Sequence, residues 1–433
     1  MLKSLPRMKF AINPPRIAWV LLLPACLVLT ACDQNTDQSY SFPEIALDES
    51  NASDQLRIAT LREAAIRAGL VRAEETWVSV DPAMAELGGL IFDSELLSLN
   101  GSISCRNCHL SEFGSADGIP NAVGVGGQGT GLERLQSGGT IVPRNALPLW
   151  GRGGKGFETF FWDGKVELRD GKVLSQFGES SPSNDPLVVA AHLPSVEIRE
   201  MVIDDQSVRE QWANEDVTSA NSIYAHLVIR LLADPEIGSR LAGTDEDPDF
   251  SDVALALASF IRDEFRLRQT KFERFVFEEG AITQAELHGG ILFYGRGRCS
   301  ACHNGPYFSD MQFHAVAFPQ AGFGKNGFGV DEGRFNVTFD PSDRFLFRTP
   351  PLFNVTLTAP YSHSGSVMGL EEAIIAHFDP LRLVDPSQMD TRERADLFQR
   401  LGAAGNEPLS ASLTDQEVAE LASFLRTLEF EQD

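Results

Sequence analysis

One five-residue string, Cys-x-x-Cys-His, occurs twice: Cys105-Arg-Asn-Cys108-His109 and Cys299-Ser-Ala-Cys302-His303. Two thiols one turn apart with an imidazole directly behind them are what c-type haem attachment needs. The thiols form thioether bonds to the porphyrin vinyl groups, and the imidazole reaches the iron from below. A thioredoxin-like dithiol would lie in a βαβ pattern, and neither copy does. A shared zinc site would not ask for a histidine after each pair. The two strings therefore predict two covalently bound haem c groups. Cys105 and Cys108 hold one with His109 as proximal iron ligand, and Cys299 and Cys302 hold the other with His303.

The remaining cysteines fit an exported chain. Of 6 cysteines, Cys26 and Cys32 fall in an N-terminal targeting segment. None is left over for a structural disulfide. Lys3, Arg7, Lys9 and Arg16 precede the apolar run AWVLLLPACLVLTAC. That run is short for a membrane span of about 20 residues and suits a secretory signal. It ends in Leu29-Thr30-Ala31-Cys32, which is similar to a bacterial lipobox. The expectation is a signal peptide over 1–32, lipidation of Cys32, and a periplasmic protein attached to a membrane only through that anchor. Residues 33–79 read as a polar tether and a leading helix.

With 433 residues the chain is too long for one ordinary core, so two domains are expected, 80–277 and 278–433. A formal charge of −25 without a basic stripe argues against nucleic acid as a partner. The surroundings of the two strings repeat as well: AELGGLIF (85–92) leads into the first and AELHGGILF (285–293) into the second. Both read as amphipathic helices, the first opened by Asp81-Pro82 and the second by a Thr283/Glu286 capping box. Ile58–Ala68, Val253–Phe272 and Thr414–Leu428 also read as helices, the last with Thr414 and Glu417 spaced as a capping box. Strand signals are scarce. The predicted fold class is mainly α, with two cytochrome c-like haem domains joined by long loops. Gly124-x-Gly126-x-x-Gly129 is formally a dinucleotide fingerprint, but no strand before it and no clear helix after it are expected.

With both strings placed, FFWDGK (160–165), FRTPPLFNVTLTAPYSHSG (347–365) and LEEAIIAHF (370–378) resemble the bacterial dihaem cytochrome c peroxidase and MauG family. The resemblance runs from about residue 80 to 430. It implies two haems on either side of a domain interface with a calcium ion between them. The N-terminal haem would react with peroxide and the C-terminal haem would pass or store electrons. By the same resemblance Trp162 is the aromatic between the haems and Glu200 the acidic residue above the peroxidatic iron, with Glu197 its rival. Asn145, Thr358 and Pro360 match the calcium site, through backbone or amide oxygens.

Three positions depart from the family pattern. Val125 stands where many members place a histidine that closes the peroxidatic iron until the second haem is reduced, so an open N-terminal iron is expected. His192 stands where members often have Gln; a distal proton group, an unexpected iron ligand and an ordinary buried histidine all fit it. His377 falls where the family supplies the sixth ligand of the C-terminal haem as Met or Tyr. Bis-imidazole ligation by His303 and His377 is expected there, with Met368 and Met311 as rivals. His363 reads as structural, and His226 and His288 as incidental helix residues. The resemblance implies a dihaem peroxidase that reduces hydrogen peroxide to water with electrons from a small periplasmic protein, a cytochrome c or a cupredoxin. A MauG-like oxidase acting on a partner protein and a non-catalytic dihaem electron carrier are the alternatives. Family members are often homodimers, and the sequence carries no interface signal.

Overall fold

The computed structural model describes residues 51–202, 217–325, 329–405 and 412–431. All belong to one compact unit that spans 42–433. The targeting segment and Cys32 lie outside the described residues, as does part of the expected tether.

The fold is mainly α. In chain order the helices are α1 (Ala52–Arg67), α2 (Pro82–Asp93), α3 (Gly131–Gln136), α4 (Pro186–His192), α5 (Val217–Ala233), α6 (Pro235–Leu241), α7 (Phe250–Glu264), α8 (Lys271–Phe277), α9 (Gln284–Tyr294), α10 (Phe335–Thr338), α11 (Leu370–Phe378), α12 (Thr391–Ala404) and α13 (Asp415–Arg426). The strands are short. β1 (Ala122–Val123) pairs antiparallel with β2 (Ile141–Val142), β3 (Thr159–Phe160) with β4 (Val166–Arg169) and β5 (Lys172–Ser175), and β6 (Phe313–His314) with β7 (Phe347–Arg348). No helix among the described residues is long and apolar enough to cross a membrane.

Two helix crossings organise the core, and both rest on the glycine pairs of the repeated segments. α2 packs on α7, and α9 packs on α13. A Cβ on Gly88 would fall 1.9 Å from the Ala256 carbonyl oxygen. A Cβ on Gly289 would fall 1.9 Å from the Glu420 carbonyl oxygen. Each pair lets backbone touch backbone at the same point of the crossing, so the repeat in the sequence is a repeated packing solution.

The caps form as the sequence indicates. Asp81 accepts from Ala83 N at 2.8 Å, and Thr283 with Glu286 and Thr414 with Glu417 form reciprocal boxes. α1 starts earlier than expected because Asn51 caps it, its side chain accepting from Ser53 N at 3.0 Å. The expected single helix Val253–Phe272 is two, α7 and α8. Between them the Phe265 carbonyl accepts from Gly151 N (2.7 Å) and the Leu267 carbonyl from Trp77 Nε1 (2.9 Å), so a neighbouring loop and a tryptophan take up the backbone instead. Thr270 then caps α8. The glycine fingerprint does follow a strand, β1, and precede a helix, α3, contrary to expectation. β1 belongs to a two-stranded antiparallel ribbon, however, so no parallel βαβ unit surrounds it.

Candidate active site

The two Cys-x-x-Cys-His strings fold alike. Cys105–Asn107 and Cys299–Ala301 are each a 3₁₀ turn, and each following histidine donates its backbone N–H to the first cysteine carbonyl, His109 at 3.1 Å and His303 at 2.8 Å. The chain then doubles back. Ser115 (φ 66°) brings its carbonyl 2.9 Å from His109 Nδ1, and Phe308 (φ 50°) brings its carbonyl 2.9 Å from His303 Nδ1. A carbonyl can only accept, so Nδ1 carries the proton and Nε2 keeps its lone pair. Burial pushes both imidazoles down to about 4, which keeps them neutral and ready to ligate. The four cysteines are free, and burial pushes the Cys105 and Cys299 thiols up to about 12. Raised thiols disfavour a zinc thiolate site. These donors fit covalent haem at both strings.

At the second string the structure brings His377, at the end of α11, opposite His303. The ring centroids are 6.4 Å apart with planes at 64°. Imidazole nitrogens bond transition metals at about 2 Å. Adding about 1.1 Å from nitrogen to ring centre on each side gives roughly 6.2 Å for two imidazoles on one metal. His377 Nδ1 lies 2.7 Å from the Ala373 carbonyl one turn back, so its Nε2 is free too. The rival Met368 is 66% exposed. Met311 is buried, but its sulfur lies 3.6 Å from Arg348 Nη1.

The first string has a different neighbour. Glu200 sits in a tight turn in which Met201 N and Val202 N both donate to the Glu197 carbonyl (3.1 and 3.2 Å), with Arg199 left-handed at φ 76°. The turn is laid against the glycine loop: Val125 N donates to the Arg199 carbonyl at 3.2 Å, and a Cβ on Gly124 would fall 1.7 Å from that oxygen. Arg134, fully buried, staples the loop by donating to the carbonyls of Val123 (2.7 Å), Gly127 (3.1 Å) and Gly124 (3.0 Å). Val125 itself is buried. The Glu200 carboxylate acts on both Cys105 and Cys108, which places it beside the first haem site. Burial, then the Glu197 charge, push Glu200 up to about 7, against the pull of Lys165. Lys165 pairs with Glu197 and lies 4.4 Å over the Phe161 ring. Lys165 holds Glu197 below the ordinary carboxylate range despite its burial.

Trp162 and Lys165 lie in the loop between β3 and β4, where Phe161 (φ 64°) and Gly164 (φ 65°) take left-handed conformations. An ion cluster anchors the loop. Asp163, fully buried, accepts from Arg144 Nη1 (2.6 Å) and Lys325 Nζ (2.9 Å), and Arg144 also donates to Asp331 (2.6 and 3.0 Å). Trp162 is 9% exposed and donates Nε1–H to the Asn145 carbonyl at 3.0 Å.

Asn145 in turn reaches the TAPY loop. Its Nδ2 donates to the Pro360 carbonyl (2.7 Å), its N–H to the His363 carbonyl (2.8 Å), and its buried Oδ1 has no partner. Thr358, nearly buried, lies against Gly114, where a Cβ would meet its Cγ2 at 2.8 Å. An orphaned amide oxygen beside backbone carbonyls is an oxygen-only donor set of the kind calcium takes, with waters completing the shell.

His192 is placed differently from Glu200. Its ring is enclosed by Phe177, Tyr224 and Phe250 at centroid distances of 6.1, 5.6 and 5.4 Å, and Nδ1 lies 2.8 Å from the Val188 carbonyl. Of the open readings, the aromatic enclosure is that of a packed core histidine. His363 stacks on Phe347 at 3.9 Å and meets Gln320 Oε1 at 3.0 Å. Sequence reasoning assigned nothing to Lys165, Arg134, Arg152 or Arg348. Lys165 carried a signal, as the cation that ends FFWDGK; the arginines are identified only by the company they keep once folded.

A mainly α fold with two like-built cysteine–histidine cradles, one facing a second imidazole and one facing a carboxylate, defines a two-haem c-type cytochrome. Residues 82–281 match the family model of the di-haem cytochrome c peroxidases. The chain is 28% identical over 346 residues to the methylamine utilization protein MauG of Methylorubrum extorquens, covering 77% of this chain and 81% of that one. It is 27% identical over 296 residues to the cytochrome c551 peroxidase of Nitrosomonas europaea, covering 67% and 71%. The crystal structure of the diheme peroxidase BthA of Burkholderia thailandensis superposes with a TM-score of 0.61 at 20% identity, covering 84% of this chain and 89% of that chain, and shares the fold. The family is one of oxidoreductases carrying two c-type haems.

Proposed function

We propose that this chain is a periplasm-facing dihaem peroxidase. It reduces hydrogen peroxide to two waters at the N-terminal site, consuming two protons and two electrons, and a small redox protein supplies the electrons through the C-terminal site. The observation that carries this reading is the asymmetry of the two sites. His303 has a second imidazole, His377, at 6.4 Å, whereas the Glu200 carboxylate acts on Cys105 and Cys108, and the turn that carries it is bonded through the Arg199 carbonyl to Val125 N–H.

Bound haem supplies an iron that accepts a peroxide oxygen and the electrons that cleave the O–O bond. The rest is the work of this chain's residues. Glu200, poised near 7, takes the proton from one peroxide oxygen and returns it to the other. Glu197 and Lys165 set that poise. Val125, buried and apolar, offers no ligand. His303 and His377 would hold the second iron between them, which would favour electron transfer there over peroxide binding. Trp162 is the aromatic bridge; the Asn145 carbonyl orients its indole N–H. Asn145, Thr358 and Pro360 would hold calcium and so fix the loop that carries that carbonyl. An N-terminal lipid on Cys32 would tether the chain, which mass spectrometry of the mature N-terminus tests.

Steady-state turnover of the haem-loaded protein tests the reading. Peroxide consumption should oxidise a reduced small cytochrome c or cupredoxin with two electrons per peroxide. Absent turnover together with a covalent change in a partner protein would instead establish the MauG-like reading.

A further inference from the structure

Buried guanidinium groups need anions or carbonyls, and most here have them. Arg144 meets Asp163 and Asp331, Arg334 meets Glu167, and all the nitrogens of Arg134 that point inward meet carbonyls. Arg152 and Arg348 do not fit that pattern. Arg348 is 1% exposed and Arg152 7%, and among the described residues neither has a carboxylate partner. Arg348 donates Nε–H to the Phe161 carbonyl (3.0 Å) and Nη1–H to the Thr349 carbonyl (3.0 Å); Arg152 donates Nε–H to the Pro148 carbonyl (2.9 Å). In both, the buried Nη2 has no partner. Asp310, the acid that Arg348 feels, is bonded to His314 at 2.8 Å.

Two buried, uncompensated cations with free N–H groups are costly, by several kcal/mol each in general, unless a counter-charge arrives. Their positions say what that charge is. Arg152 N–H donates to the Leu149 carbonyl (3.1 Å), Leu149 N–H donates to Ser115 Oγ (2.8 Å), and the Ser115 carbonyl lies 2.9 Å from His109 Nδ1, so Arg152 stands at the first haem site. Arg348 lies against Met311 in the stretch that follows Cys302 and His303, so it stands at the second. Arg348 also lies 5.7 Å from the ring centre of Phe157, five residues after Arg152, so the two positions adjoin. Each haem brings carboxylates, and a planar guanidinium with free N–H is the group that receives a carboxylate best.

We propose that Arg152 and Arg348 receive the propionate carboxylates of the N-terminal and C-terminal haems respectively, and that each guanidinium raises the reduction potential of its own haem. This rests on the two-haem reading above. Burial pushes the two guanidiniums down to about 9 (Arg152, helped by the Arg348 charge) and about 10 (Arg348), as expected of cations lacking their anions.

The test is a spectroelectrochemical titration of haem-loaded Arg152→Gln and Arg348→Gln proteins, with resonance Raman spectra of the propionate bending region. Each substitution should lower the midpoint potential of its own haem more than that of the other, and should displace that haem's propionate band. Should the Gln variants fail to mature, Arg152→Lys and Arg348→Lys carry the same test, because a point charge of shorter reach must also displace the band. Wild-type potentials with wild-type propionate bands in either set would overturn the assignment. A wild-type chain that carries no covalent haem would overturn the two-haem reading itself, and this assignment with it.

Discussion

Glu197→Gln is the substitution whose effect on the proposed chemistry has an unambiguous sign. Glu200 stands near 7 because it is buried and because the Glu197 carboxylate repels its charge. Replacing Glu197 by Gln removes the repulsion. It also releases Lys165 from its ion pair, so that the ammonium acts more fully on Glu200. Both changes favour the Glu200 carboxylate, so its pKa falls. A neighbouring charge within ion-pair range is worth about 1–3 pKa units, and the desolvation of Glu200 remains. A fall of about 1–2 units is therefore expected, each unit equivalent to about 1.4 kcal/mol. Since the carboxylate is the form that accepts the first proton, kcat/KM for peroxide should fall as pH drops through about 7 in the wild type. In Glu197→Gln that acid limb should move down by about 1–2 units. Glu200→Gln should abolish the limb and cost about 10²–10⁴ in rate. An acid limb that stays in place in Glu197→Gln, or moves up, would refute the reasoning.

Other outcomes follow from the same geometry. Gly88→Ala and Gly289→Ala each drive a methyl group to 1.9 Å of a carbonyl oxygen, and each should cost at least about 1–3 kcal/mol in denaturant unfolding. Asp163→Asn leaves the partly buried Arg144 and Lys325 beside a neutral amide, with Asp331 still paired to Arg144, which should destabilise the protein by about 3 kcal/mol and loosen the loop that carries Trp162. His377→Met should raise the reduction potential of the C-terminal haem and replace its bis-imidazole spectrum. Calcium titration of chelator-treated protein should perturb Trp162 fluorescence, and Asn145→Ala should abolish the response, since the carbonyl that orients the indole belongs to the proposed ligand.

Much of the site was legible because its chemistry is written in short strings. Both cysteine–histidine strings and the caps at Asp81, Thr283 and Thr414 were read from neighbours a few residues away, and the position of His377 from the family resemblance. What was missed depends on contacts distant in sequence. The paired glycines showed as a repeat, but only the α2–α7 and α9–α13 crossings explain them. The break between α7 and α8 comes from Gly151 and Trp77, far upstream, taking carbonyls that a continuous helix would have kept. Lys165 acquires its role from Glu197 and Glu200 across the loop, and Arg152 and Arg348 from the lack of an acid partner among the described residues. For His192 the sequence left a distal group, an iron ligand and an ordinary buried histidine open, and only the aromatic enclosure shows its surroundings.

The EPR spectrum of the fully oxidised, haem-loaded protein tests the central claim most directly, that one iron is open and the other saturated. The expected result is one high-spin ferric signal beside one low-spin signal, with the high-spin signal responding to peroxide without prior reduction. Two low-spin signals would contradict it, because a residue other than Val125 would then close the N-terminal iron.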